Sequence, residues 1–132
     1  MPFKGSCLCG RVEYEIRQLD MPIGHFHCAT CRKAHASAYT TTAGVLRSHF
    51  KITRGTDDLN GFESSPGKFR RFCRHCGTHV FAERPAQPHI ILRLATLDED
   101  PGERPAFHIW TSHDVDWLKP ECPSYPEWQP GR

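Results

Sequence analysis

Between Arg11 and Arg17 the chain alternates, with Val12, Tyr14 and Ile16 set against Glu13 and Glu15. That period of two predicts a strand with one buried face. His25 to Cys28 continues as a second predicted strand, and the Thr-rich run from Tyr39 to Val45 as a third, closed by Gly44 and followed by Leu46 to Ile52. Ser65-Pro66-Gly67 is a turn signal, after which come Phe69 and Phe72, then Val80 and Phe81. The apolar run Ile90-Ile91-Leu92 within His89 to Leu94 suits a buried strand, and Phe107 to Trp110 a last one. Asp98-Glu99-Asp100-Pro101-Gly102 reads as a solvated acidic loop, and Pro120 to Arg132 as a Pro-rich tail with Tyr125 and Trp128 as anchors. No repeat and no helix beyond about three turns is predicted, so the fold class is all-β or nearly so.

Composition sharpens this reading. Eleven prolines and ten glycines in 132 residues favour short strands joined by turns. The length fits one domain, residues 1–132, with a core over about 3–118 and a tail over 119–132. A net charge of +2, with basic residues scattered among carboxylates, argues against a nucleic-acid partner or a membrane surface. The start MPFKGSCLCG has no apolar signal core and no later segment reaches a membrane span, which points to a cytoplasmic protein.

Six of the seven cysteines form close pairs: Cys7 and Cys9, Cys28 and Cys31, Cys73 and Cys76. Without a secretory signal such pairs read as metal ligands rather than disulfides, and the odd Cys122 weakens a disulfide framework further. Cys122 itself reads as a buried or inert thiol. Four thiolates in a tetrahedron make a closed structural zinc site. Gly10 after Cys9 and Gly77 after Cys76 allow a positive-φ turn that aims backbone N–H groups at sulfur, so Cys7, Cys9, Cys73 and Cys76 are the candidate structural ligands. Cys31 is followed instead by Arg32 and Lys33, two cations that would lower a thiol pKa and attract an anionic ligand. That pattern suits an open, reactive site; a solvated surface is the competing reading. Trp110, Trp117 and Trp128 read as packing residues.

Gly5-Ser6-Cys7-Leu8-Cys9-Gly10-Arg11-Val12, Cys28-Ala29-Thr30-Cys31-Arg32-Lys33-Ala34-His35, Ser64-Ser65-Pro66-Gly67 and Phe72-Cys73-Arg74-His75-Cys76-Gly77-Thr78 together resemble the glutathione-dependent formaldehyde-activating family, which also contains centromere protein V. The segments Leu97 to Pro101 and His108 to Trp110 are similar to it as well, so the resemblance spans roughly residues 3–118. It implies a β-tent fold of short antiparallel strands with zinc on the first and third cysteine pairs. It also implies a second, catalytic zinc near Cys28 and Cys31, where glutathione and formaldehyde join to give S-hydroxymethylglutathione, a reaction classed with the carbon–sulfur lyases.

The chain departs from the enzyme-like members at the middle site. Their Cys-His-Cys-x-x-Cys run is Phe26-His27-Cys28-Ala29-Thr30-Cys31 here, so Phe26 stands for the first thiolate. A catalytic zinc keeps three protein ligands and an exchangeable water. On a straight strand Phe26 and Cys28 share one face and His25 and His27 the other, so neither histidine simply replaces the lost ligand. His35 is a second candidate if that stretch is helical, and Ala36 occupies a position where relatives often have glycine.

Two functions follow. One is a carbon–sulfur lyase-like enzyme acting on glutathione or another small thiol, with Cys28 and Cys31 as catalytic thiolates and holders of a weak second zinc, and Arg32 and Lys33 binding substrate carboxylates. The other is a non-catalytic binding module held by one structural zinc.

Overall fold

The computed structural model describes residues 2–118 and 121–131; Met1, Lys119, Pro120 and Arg132, which fall in the expected domain ends and tail, lie outside the described residues. Ten short strands form two sheets. β1 (Phe3–Ser6), β2 (Glu13–Ile16) and β5 (Phe50–Arg54) make a three-stranded antiparallel sheet in the order β1-β2-β5. The larger sheet adds β3 (Gly24–Phe26), β4 (Thr40–Leu46), β6 (Leu59–Ser65), β7 (Lys68–Cys73), β8 (His79–Glu83), β9 (His89–Arg93) and β10 (Phe107–Ile109). Its order is β10-β3-β4-β9-β8-β7-β6. All pairs are antiparallel except β10 with β3, an exception to the expected antiparallel pattern. The chain reaches that edge by a long connection from Thr96 rather than a tight turn, which permits parallel pairing. One helix, α1 (Ala29–His35), follows β3, and no helix among the described residues is long and apolar enough to cross a membrane.

Register explains which face of the large sheet does what. Phe81 pairs with Leu92 and Leu92 with Ala43, so these three point one way. Phe81 and Leu92, with Val45, Val80 and Ile90, pack on Val12, Tyr14 and Ile16, closing the core between the two sheets. The expected alternation of residues 12–16 is thus borne out, and each fully buried branched side chain contributes roughly 1.5–3 kcal/mol. Gly5 lies opposite Tyr14, and a Cβ there would overlap the Tyr14 ring, whose hydroxyl bonds Thr96 at 2.6 Å. The interleaved row faces the other way: Arg70 pairs with Ala82, Ala82 with Ile91, Ile91 with Gly44, and two residues on Arg93 pairs with Thr42. Phe26 pairs with Thr40 and falls on the same face. α1 covers this second face.

Several elements differ from the sequence reading. The strand expected over His25–Cys28 ends at Phe26, because Cys28 already caps α1. The acidic loop is not simply solvated: Asp98 accepts from the Ser6 hydroxyl at 2.9 Å, and Glu99 accepts from the Lys4 N–H at 3.0 Å. Trp110, Trp117 and Trp128, expected to pack, are exposed, as are Tyr125 and Cys122, because they lie beyond the sheets' apolar interface.

Ala36 caps α1 with φ 50° and ψ 45°, its N–H bonding the Arg32 carbonyl. A left-handed residue with a Cβ is strained by roughly 1–2 kcal/mol, part of which glycine's larger unfolded-state entropy offsets. Ala36→Gly is therefore expected to stabilise the protein by about 1 kcal/mol and raise Tm by a few degrees. A lowered melting temperature in that variant would show that the Ala36 methyl packs usefully.

Candidate functional site

Two loops meet at one end of the core. Cys7 and Cys9 sit in the turn between β1 and β2; Cys73 ends β7, and Cys76 lies in the turn before β8. Glycine makes both turns possible: Gly10 has φ 79° and Gly77 φ 77°, as expected from their places after Cys9 and Cys76. The Leu8 N–H donates to the Thr78 hydroxyl at 3.1 Å and holds the loops together. All four sulfurs lie within 4.8 Å of one another, with 3.6 Å between Cys7 and Cys9 and 3.7 Å between Cys9 and Cys73. A tetrahedral zinc with Zn–S of 2.3 Å requires about 3.8 Å between sulfurs. The cluster therefore fits a four-coordinate metal ion.

Surrounding donors prepare the sulfurs for charge. The Val12 N–H donates to Cys7 Sγ at 3.3 Å and the His75 N–H to Cys73 Sγ at 3.4 Å. The Thr78 hydroxyl and then its N–H hold the Cys76 thiol down at about 5, while burial pushes the Cys73 thiol up to about 11. Backbone and side-chain bonds from Arg11 lower Cys9. Four thiolates this close repel one another, and a dication among them removes that repulsion. Asp58 fastens the second loop from outside, accepting from His75 at 2.7 Å and taking the Arg74 N–H on its carbonyl.

The middle pair is a separate site. Cys28 caps α1 and Cys31 lies one turn on, so both project from the same side of the helix. Their Cα atoms are 5.3 Å apart and their sulfurs are joined as a disulfide. This corrects the expectation that none of the three pairs is a disulfide. With Phe26 where a third thiolate would stand, the two sulfurs have each other as the nearest partner. Phe26 and Cys31 line one cavity. Two sulfurs and a phenyl ring do not make the three-ligand set of a catalytic zinc.

The three candidate histidines differ in how the fold engages them. His27 is buried, with Nδ1 2.6 Å from Asp114 and Nε2 2.8 Å from His108, so both ring nitrogens are engaged. His25 bonds Thr41 at 2.8 Å on that same side, away from Phe26. His35 points under α1 toward His79, the ring centroids 4.6 Å apart, and burial there pushes its pKa down to about 3.

The two cations read from sequence split. Arg32 donates from Nε to the His27 carbonyl at 3.3 Å and from Nη2 to the His113 carbonyl at 2.9 Å, stapling α1 to the segment after β10. Lys33 is exposed and borders cavities on both sides of α1. The cation that does reach the middle pair is Arg70, whose Nη2 is 4.0 Å from Cys31 Sγ. Sequence reasoning missed it because Arg70 is 39 residues from Cys31 and meets it only through the register of β7 under α1.

Comparison with known proteins finds relatives that match most of the chain rather than the site alone. A family model described as "Glutathione-dependent formaldehyde-activating enzyme" matches residues 2–113. A Podospora anserina protein, named provisionally as a glutathione-dependent formaldehyde-activating enzyme, is 28% identical over 119 residues. That match covers 84% of this chain, which spans about half (55%) of the curated relative's length. A crystal structure of a Rhodobacter sphaeroides protein superposes with a TM-score of 0.63 at 27% identity, covering 79% of this chain and 98% of that one.

Proposed function

The chain belongs to the glutathione-dependent formaldehyde-activating enzyme family, and from that premise we propose that it is a carbon–sulfur lyase-like enzyme joining a small thiol, glutathione first among candidates, to formaldehyde. Zinc on Cys7, Cys9, Cys73 and Cys76 serves the fold, holding two loops and two sheets together. The observation that carries the reading is a buried Cys31 beside the Arg70 guanidinium, in a cavity separate from the four-cysteine cluster.

The residues supply the following chemistry. Two equivalents of thiol reduce the Cys28–Cys31 bond, leaving two protein thiols and one substrate disulfide. The positive guanidinium then favours Cys31 as thiolate. Cys31 takes the proton of the incoming thiol; the substrate sulfur attacks the aldehyde carbon, the carbonyl π pair moves onto oxygen, and the proton returns to that oxygen. One carbon–sulfur bond forms and nothing is oxidised or reduced in the addition. Cys28, at the N-terminal cap of α1, serves as the second thiol of the pair, and Lys33 draws in a substrate carboxylate; Arg32, engaged with two carbonyls, positions the helix.

Formation of the glutathione–formaldehyde adduct can be followed by NMR exchange spectroscopy with the reduced protein. Acceleration above the spontaneous rate is expected, with at least a tenfold loss in Cys31→Ser and a smaller one in Cys28→Ser. No acceleration by the folded, zinc-loaded, reduced protein would favour the second reading, a non-catalytic module with one structural zinc, which Phe26 in the middle site supports.

A further inference from the structure

Every buried side-chain nitrogen or oxygen without a hydrogen-bond partner among the described residues belongs to Ser64, Arg70, His79, Arg93 or His35. The cavities around α1 bring these residues together: Ser64, Arg70 and His79 line one, and His35, His79 and Arg93 the next. Arg93 also lines a third, of about 200 Å³, with Cys31, Phe26 and Lys68. Orphaned donors are therefore concentrated in one place rather than scattered as packing defects.

The two arginines are unusual. Arg70 is 3% and Arg93 5% exposed. Nε and Nη1 of Arg70, and Nε and Nη2 of Arg93, have no protein partner. Glu83, the carboxylate on the rim of the third cavity, is taken by Arg47 and Arg71, each at 2.8 Å. Burial lowers the pKa of Arg93 to about 9, helped by Arg70, and that of Lys68 to about 8, where Arg70, Arg93 and Arg84 add to the effect. Buried charges of one sign that act on each other and have unfilled donors are costly to the fold. A planar oxyanion removes that cost. Nε and Nη2 of Arg93 share one edge of the guanidinium, the fork that grips a carboxylate with two parallel bonds.

We infer that Arg70 and Arg93, with Lys68 at the mouth, form a carboxylate-binding site that seats one carboxylate arm of a small ligand beside Cys31. The volume admits such an arm rather than a whole tripeptide. The inference rests on the proposed function for the identity of the ligand, a carboxylate-bearing thiol, and on the orphaned arginines for the site's chemistry.

The test uses the full chain, metal-loaded and reduced, with ¹⁵N-labelled arginine. Succinate, glutathione and glutathione diethyl ester are titrated in turn while the Nε–H resonances of Arg70 and Arg93 are followed. Succinate and glutathione are expected to shift both resonances and to bind at least tenfold more tightly than the diester. Arg93→Met and Arg70→Met should each weaken binding of both carboxylates by tenfold or more, yet melt no lower than the native protein when ligand-free, since each removes an unmatched buried charge. Binding of succinate without glutathione would keep the carboxylate site and remove glutathione as its ligand. Equal binding of diester and acid, or carboxylate binding unchanged in both methionine variants, would overturn the inference.

Discussion

Cys73→Ser is expected to abolish cooperative folding and to take bound zinc from one ion per chain towards none. Cys73 is fully buried, belongs to the hydrophobic core cluster, and contributes one of four sulfurs lying within 4.8 Å. A structural zinc site puts about 10–16 kcal/mol of binding energy directly into folding, against a typical net stability of about 5–15 kcal/mol. Losing one thiolate removes enough of that energy to unfold a domain of this size. Exchange of a buried thiol for a hydroxyl accounts by itself for only about 1–3 kcal/mol. A strong chelator acting on the native protein should therefore reproduce the loss, and added zinc should reverse it. Thermal melts with elemental analysis provide the check. An unchanged Tm and zinc content in Cys73→Ser would remove the metal from this site. Cys76→Ser should behave alike, because Cys76 anchors the same loop through Thr78.

Phe26→Cys is expected to raise chelation-resistant zinc from one to two ions per chain. Phe26 shares the large sheet's second face with Arg93 and borders the cavity that Cys31 lines. A thiol there gives, with reduced Cys28 and Cys31, the three-ligand set that an open zinc site requires, whereas two thiolates hold the ion weakly. If the thiol–aldehyde reaction belongs to this site, its rate should rise in the same variant. The measurement is zinc per chain after mild chelation under reducing conditions, for the native protein and for Phe26→Cys. Two retained ions in the native protein would mean that another side chain already completes the site. His35, whose Nε2 is buried without a partner, is then the residue to replace, because both nitrogens of His27 are engaged.

The four-cysteine cluster was legible in the sequence because its determinants are local. Each pair lies within one turn, and each turn needs a residue tolerant of positive φ directly after its second cysteine, which Gly10 and Gly77 supply. The strand at residues 12–16 was legible for the same kind of reason, since a period of two needs no partner to be recognised. Phe26 could be flagged from its place in the run before Cys28, without any coordinates. The surroundings of Cys31 could not. Arg32 and Lys33 stand next to it in the chain, yet a helical turn carries Arg32 to the His27 and His113 carbonyls and leaves Lys33 exposed. Arg70 and Arg93 come from β7 and β9, and nothing in the order of residues around them marks them as buried. They lie on the α1-covered face of the large sheet because strand register alternates the faces, so that Arg70 falls in the row of Ala82 and Ile91 while Phe81 and Leu92 face the core. Local turn chemistry and periodicity thus specified the cysteine loops and the core strand. The chemistry around Cys31 depends on which strands lie side by side and in which register, and only long-range packing decides that.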